Sequence, residues 1–237
     1  MRSTLYSIAS SLGLAAMLLA TAGPLRAGVV FHTNQASYAS AMALPGAASS
    51  TDSFNDLSAG ALLSGPLQRG AGSGAYTISV NDVIGAGPGN GAEDFFPVDL
   101  GGGNSALSLN FAGNDMVFSG FSSATRGIGG FMFGSDESGA LLPGARLRLA
   151  VTDADGSYTE LITPIGLTDF FGFTSTSAIS GFSLSAIQPS SGFNWAVVDD
   201  LLVSQVQAQV EVPEPGSLAL FLLGLMGAGT ISMRRRR

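Results

Sequence analysis

RLRLAVTDADGSYTELI, residues 146–162, is a β-hairpin written in side chains. Through residues 146–152 apolar and polar positions alternate, so Leu147, Leu149 and Val151 turn to one face and Arg146 and Arg148 to the other. Asp153-Ala154-Asp155-Gly156 follows, with the Asp-Gly pair that a tight turn favours, and residues 157–162 form the return strand. A lone hairpin is only marginally stable in water, so its apolar face needs further strands.

The rest of the chain offers them. Residues 29–31, 75–80, 107–111, 116–118, 127–133, 170–173, 179–187 and 195–203 read as further strands. Residues 107–111 and 116–118 flank a turn at 112–115. The glycines of GIGGFMF, residues 127–133, point to a bulge or to tight sheet packing. One short helix is expected over residues 36–43, capped from Thr33-Asn34 and ended by Pro45-Gly46, with Tyr38 and Met42 on one face. Residues 81–105 read as a long acidic, glycine-rich connection whose Phe95-Phe96-Pro97 folds back onto the core. About ten short strands with one minor helix predict an all-β fold: a single β-sandwich of jelly-roll type.

The two ends have a different character. Arg2, the apolar run at residues 12–20 and Ala20-Thr21-Ala22 make residues 1–27 a secretory signal peptide, for signal peptidase to cut there or after Ala27. At the other end Val212-Pro213-Glu214-Pro215-Gly216 precedes an uncharged run at 217–233 and the tail Arg234, Arg235, Arg236 and Arg237. As a helix that run spans about 25 Å, short against a hydrocarbon core of about 30 Å. The arginines mark its cytoplasmic side, which leaves the domain outside the inner membrane. The divisions expected are 1–27, a domain at 28–206, and a linker with sorting signal at 207–237.

There is no lysine and no cysteine. Between Gly28 and Val212 four arginines face sixteen carboxylates, a formal charge of −12. That balance excludes nucleic acid and anionic lipid as partners. Disulfides and thiol chemistry are excluded with the cysteines. His32 is the only histidine, and no G-x-S-x-G elbow occurs, so neither a Ser/His/Asp triad nor a multi-histidine metal site is expected.

The C-terminal arrangement resembles the PEP-CTERM sorting signal of bacterial surface proteins, carried by Pro213-Glu214-Pro215, the apolar run and the terminal arginines. The opening strand, small helix and Thr51–Gly60 block, together with Gly130–Gly134, Asp153–Gly156, Phe171-Gly172-Phe173 and Val198–Leu201, resemble the same proteins more loosely. The resemblance implies recognition by exosortase, cleavage near Pro-Glu-Pro, passage through the inner membrane on a temporary helix, and a place at the cell surface or outside it with exopolysaccharide or biofilm matrix.

Asp199 is the residue with most chemistry to explain. In a regular strand it shares a face with Trp195, Val197, Leu201 and Val203. A buried carboxylate must be bulged out, hydrogen-bonded or bound to a cation. A structural calcium held by Asp199 with Asp56 or Asp52 is one expectation, and hydrogen bonds to backbone amides are the other. Asn55 stands where the related pattern often has an acid. The Asp153–Gly156 turn lacks the further ligands of a calcium loop. Glu93-Asp94 and Asp136-Glu137 are adjacent pairs, not carboxylates set across a cleft. The expected function is therefore a non-enzymatic exported surface or matrix protein. A carbohydrate-binding module, with Tyr76, Tyr158 or Phe95 stacking on sugar, is the alternative, and a carboxylate-dependent hydrolase comes third.

Overall fold

The computed structural model describes residues 28–207 except 73, 83–86, 88 and 90–92. The signal segment, the 212–216 motif, the 217–233 run and the arginine tail lie outside the described residues. In chain order the elements are β1 (Val30–His32), α1 (Gln35–Ala41), β2 (Ala47–Asp52), β3 (Leu67–Ala71), β4 (Gly74–Asn81), β5 (Phe95–Gly101), β6 (Asn104–Leu109), β7 (Asp115–Ser119), β8 (Thr125–Ser135), β9 (Leu147–Asp153), β10 (Gly156–Ile162), β11 (Phe170–Thr174), β12 (Ile179–Ala186) and β13 (Trp195–Val206). Among the described residues no helix is long and apolar enough to cross a membrane.

The hairpin at 146–162 is the tip of a much longer one. β9 pairs with β10, β8 with β11, β7 with β12 and β6 with β13, all antiparallel. This eight-stranded hairpin wraps so that successive pairs alternate between two sheets. One sheet runs β1-β11-β8-β13-β6-β5 with β2 also on β13, and the other runs β10-β9-β12-β7-β4-β3. Two interlocked Greek keys of this order are a jelly roll. The earlier strands extend it: β5 and β1 at opposite edges of the first sheet, β4 and β3 beyond β7 in the second.

Between the sheets lies an aromatic core. Phe118 and Phe182, cross-strand partners on β7 and β12, stack with centroids 4.1 Å apart. Phe173 of the opposite sheet meets Phe182 edge-on at 5.4 Å. Leu147, Leu149 and Val151 are buried as the alternation requires, and Arg146 and Arg148 are exposed.

The seven-stranded sheet is also buried on its other face. There α1 packs Tyr38 and Met42 against Phe170. A Cβ on Gly127 would stand 2.7 Å from the Tyr38 hydroxyl, and one on Gly129 2.4 Å from the Phe170 ring. The glycines of residues 127–133 therefore serve close packing. The helix starts at Asn34, whose Oδ1 accepts the Ser37 amide at 2.8 Å. Farther along the same face Ala106, Phe133 and Val197 are covered by Leu100 and Leu141.

Three sequence expectations need correction. Residues 81–105 are not one connection: they contain β5 and the start of β6, and Phe95 is fully buried. Glycine and acid content hid a strand anchored by one phenylalanine. β2 (AASSTD) and β3 (LQRGA) were not expected at all, because short, mostly polar strands at a sheet margin carry little hydrophobic alternation. β6 and β7, expected around a common turn, lie in different sheets. The segment between them crosses the sandwich and is held by Gln188, whose Nε2 donates to the Ala112 carbonyl at 2.7 Å.

Phe182→Ala should cost about 3–5 kcal/mol, because a ring sandwiched between Phe118 and Phe173 leaves a cavity that cannot close. Urea denaturation should show a lower midpoint with an unchanged slope. Leu161→Ala, at a side chain 49% exposed, should stay within about 0.5 kcal/mol of wild type.

Candidate functional site

Asp52 ends β2 in the seven-stranded sheet, while Arg69 on β3 and Tyr76 on β4 belong to the six-stranded one. Arg69 joins them. Its Nε and Nη2 donate to Asp52 at 3.0 and 2.5 Å, and its Nη1 and Nη2 donate to Asp56 at 2.8 and 2.7 Å. The Tyr76 hydroxyl donates to Asp52 Oδ2 at 2.6 Å, and the Phe54 amide donates to Oδ1 at 3.1 Å. Phe54 takes a positive φ of 57° and sets its ring 5.3 Å beneath the guanidinium. Hydrogen bonds from Arg69 hold the Asp56 carboxyl below its ordinary range, and the same carboxylates push the Arg69 guanidinium further toward the protonated form. Burial, then the Asp52 carboxylate, raises the Tyr76 phenol.

So Asp52 and Asp56 do converge, but on a guanidinium that fills the place a cation would take. Asp199 does not join them. Asp52 pairs with Leu201, a core residue, whereas Asp199 pairs with Phe131 on the sheet's other face. Among the described residues no group of three or more His, Asp or Glu gathers as metal ligands do.

The expectation that Asp199 shares a face with Leu201 and Val203 fails because β13 is bulged. Its pairing with β8 slips between Asp199 and Leu202, and Asp200 adopts φ 47°. Ala196 and Val198 face the core before the bulge, and Leu201 and Val203 after it. At the same point the strand changes neighbour, from β6 at residues 197–198 to β2 at 201–206. Asp199 is 3% exposed and closes the junction. Its Oδ2 accepts Asn104 Nδ2 at 2.9 Å and its Oδ1 the Asp200 amide at 2.8 Å. Nearby, Asn55 Oδ1 accepts the Ser105 amide at 2.7 Å. Burial raises the Asp199 carboxyl above its ordinary range.

Other carboxylates clamp turns. Asp153 Oδ1 accepts the amides of Asp155 and Gly156, and its Oδ2 accepts the Ser175 hydroxyl. Asp136 Oδ1 accepts the Ser138 hydroxyl and the Ser138 and Ala140 amides, which together hold it below its ordinary range. His32 accepts or donates at Thr174 Oγ1, 3.0 Å away, and meets Tyr38 edge-on.

The face left open is the outer side of the six-stranded sheet. The registers align its residues in rows across the strands: Gln68, Thr77, Ser119, Gly181, Thr152, Ser157; then Ser79, Val117, Ser183, Ala150, Thr159. At one end Arg148 Nη2 donates to Asp115 at 3.2 Å and Ser185 at 3.1 Å. Their central members, from Ser79 and Ser119 to Ala150 and Ser157, line a shallow trough of about 660 Å³. None of the expected sugar-stacking rings lies in it. Tyr76 and Phe95 are buried at 2% and 0% exposure, and Tyr158 is half-buried on the edge strand β10. Arg69 was missed as the partner of Asp52 and Asp56. The scarcity of arginine in the domain was the available signal.

Arg69→Ala should cost about 3–5 kcal/mol, since it strands the buried Asp52 carboxylate. The double variant Arg69→Met with Asp52→Asn should recover most of the loss in chemical denaturation. Asp199→Asn should melt above wild type at pH 7. The folded state raises this carboxyl, so its ionisation costs stability above the unfolded value near 3.9, and the variant's advantage should vanish below about pH 4.

Residues 211–237 match the family model for the PEP-CTERM protein-sorting motif. No curated protein matches the chain. Among solved structures, a mutant of CBM29-2, a family 29 carbohydrate-binding module, aligns at 15% identity and TM-score 0.31, over 61% of this chain and 95% of that one. A second CBM29-2 mutant, complexed with cellulohexaose, aligns at 11% identity and TM-score 0.29, over 55% and 92%. The jelly-roll assignment rests on strand order, independently of these matches. Residues 211–237 are thus a PEP-CTERM protein-sorting motif, and a motif of this kind implies exosortase processing and export to the surface or extracellular space.

Proposed function

We propose that this is an exported, non-catalytic surface domain that exosortase releases from its C-terminal signal and that lies against extracellular polysaccharide. The observation that carries the reading is the sorting motif at 211–237. It goes with a signal peptide at 1–27 and a jelly-roll domain at 28–206, and needs no cofactor. A non-catalytic role is supported by where the acids go: Asp52, Asp56, Asp136, Asp153 and Asp199 all accept hydrogen bonds within the fold.

The open face supports polysaccharide as the partner. The hydroxyl groups of its rows, with the amide of Gln68, offer both donors and acceptors across six strands, which suits an extended polyhydroxyl chain. The ion pair on it, Arg148 with Asp115, is internally balanced. A domain of such negative charge favours neutral glycans over anionic ones.

Two measurements test this. Mass spectrometry of the exported protein should find a C-terminus near Pro213-Glu214-Pro215, and an intact apolar tail on surface material overturns the processing. Affinity electrophoresis of the 28–206 domain in gels containing the cell's own exopolysaccharide should show retardation. Thr152→Glu with Ser119→Glu should abolish it without lowering Tm. A wild-type domain that runs unretarded overturns the assignment of the face.

A further inference from the structure

The opposite side of the molecule holds a second, smaller feature. On the outer face of the seven-stranded sheet, beyond Phe133 and Val197, a cavity of about 100 Å³ is lined by Phe96, Ser108, Asn110, Asp136, Glu137 and Trp195, among others. Phe96 and Trp195 contribute aromatic carbon to its lining, and its polar groups are hydroxyl, amide and carboxylate. Among the described residues no arginine lines it. Trp195 is 8% exposed, Asn110 6% and Ser108 2%, so this is a built recess in the fold.

Its donors are committed. Trp195 Nε1 donates to the Asn110 carbonyl at 3.2 Å, Asn110 Nδ2 to the Glu93 carbonyl at 2.8 Å, and the Ser108 hydroxyl to the Leu109 and Ala196 carbonyls. What the recess still offers is the negative charge of Asp136 and Glu137 beside Phe96 and Trp195. Glu137 is exposed at its rim.

We infer that this recess is a subsite for an organic ammonium group, such as the protonated amine of an amino sugar. Rings attract a cation over their faces, and carboxylates at the rim complete the charge. The volume admits an ammonium with its neighbouring carbon and not a whole pyranose. A bare divalent metal ion would want six to eight oxygen ligands, which the lining does not provide. The inference concerns the opposite sheet and does not depend on the polysaccharide reading of the trough.

Trp195 is the only tryptophan in the chain, so its fluorescence reports on the recess without a label. Full-length exported protein would be titrated with glucosammonium chloride, ethylammonium chloride, N-acetylglucosamine, glucose and sodium chloride. Saturable emission changes are expected with both ammonium salts and not with the other three. A tighter response to glucosammonium than to ethylammonium identifies the amino sugar as the source, and equal responses identify the amine alone. Glu137→Gln, at an exposed position, should keep the fold and weaken both titrations several-fold. No saturable change with either ammonium salt, or equal binding of N-acetylglucosamine and glucosammonium, overturns the inference. So does an unweakened Glu137→Gln.

Discussion

Burial of the seven-stranded sheet on both faces is the constraint from which the rest follows. A sandwich sheet ordinarily gives one face to the core and one to water. Here the second face carries α1 over one half and the segment around Leu141 over the other. The helix can approach only where side chains are missing, hence Gly127 and Gly129 on β8. The central strand β13 must then present apolar groups to both sides, and Ala196, Val197 and Val198 are all fully buried. A carboxylate in such a strand survives only if the backbone is rearranged around it, and the bulge at Asp199 and Asp200 is that rearrangement.

The same constraint explains the use of acid in a domain without lysine or cysteine. Covering segments and crossovers must be pinned, and neither disulfides nor lysine pairs are available. Aspartate takes over. One carboxylate can accept two or three amides or hydroxyls, and such charge-assisted bonds are stronger than neutral ones. Asp136 fixes the start of the segment that reaches Leu141, and Asp153 fixes the β9–β10 turn against Ser175. Asp94 accepts the Gly65 amide at 2.8 Å and ties the region before β3 to the start of β5. The formal charge of −12 is therefore largely a by-product of loop closure, with Arg69 spent on a buried one of these groups, Asp52.

What the sequence made legible was whatever period-two burial writes into it. β9, β11, β12 and β13 were readable because Leu147 to Val151, Phe170 to Phe173, Phe182 to Ala186 and Trp195 to Val198 are packed on one or both faces, and the mostly exposed β10 because the Asp155-Gly156 turn announces it. The capped helix was readable from Asn34 and the Tyr38–Met42 spacing. β2 and β3 were not, because their partners and not their own side chains stabilise them. The face of Asp199 was illegible for a sharper reason. Alternation assumes an unbroken strand, and one residue of positive φ reverses every assignment after it. The trio Asp52, Asp56 and Asp199 was thus drawn from correct residue types with a parity error, while Arg69, the actual companion of two of them, lay in a strand that was not read.

The asymmetry of the two sheets bears on where a partner can act. A covered face can offer only recesses between its cover and the strands, and these are small. An open face offers area without depth. The two faces therefore select different ligands by geometry alone: the trough suits a chain that lies across strands and is held by many weak bonds, the recess a single compact group. In the trough affinity accumulates with the number of rows engaged, so long polymers are favoured over short fragments. On the proposed reading, weak repeated contacts of this kind hold a polymer without a precise glycan sequence, and the rows supply them through small hydroxyl residues.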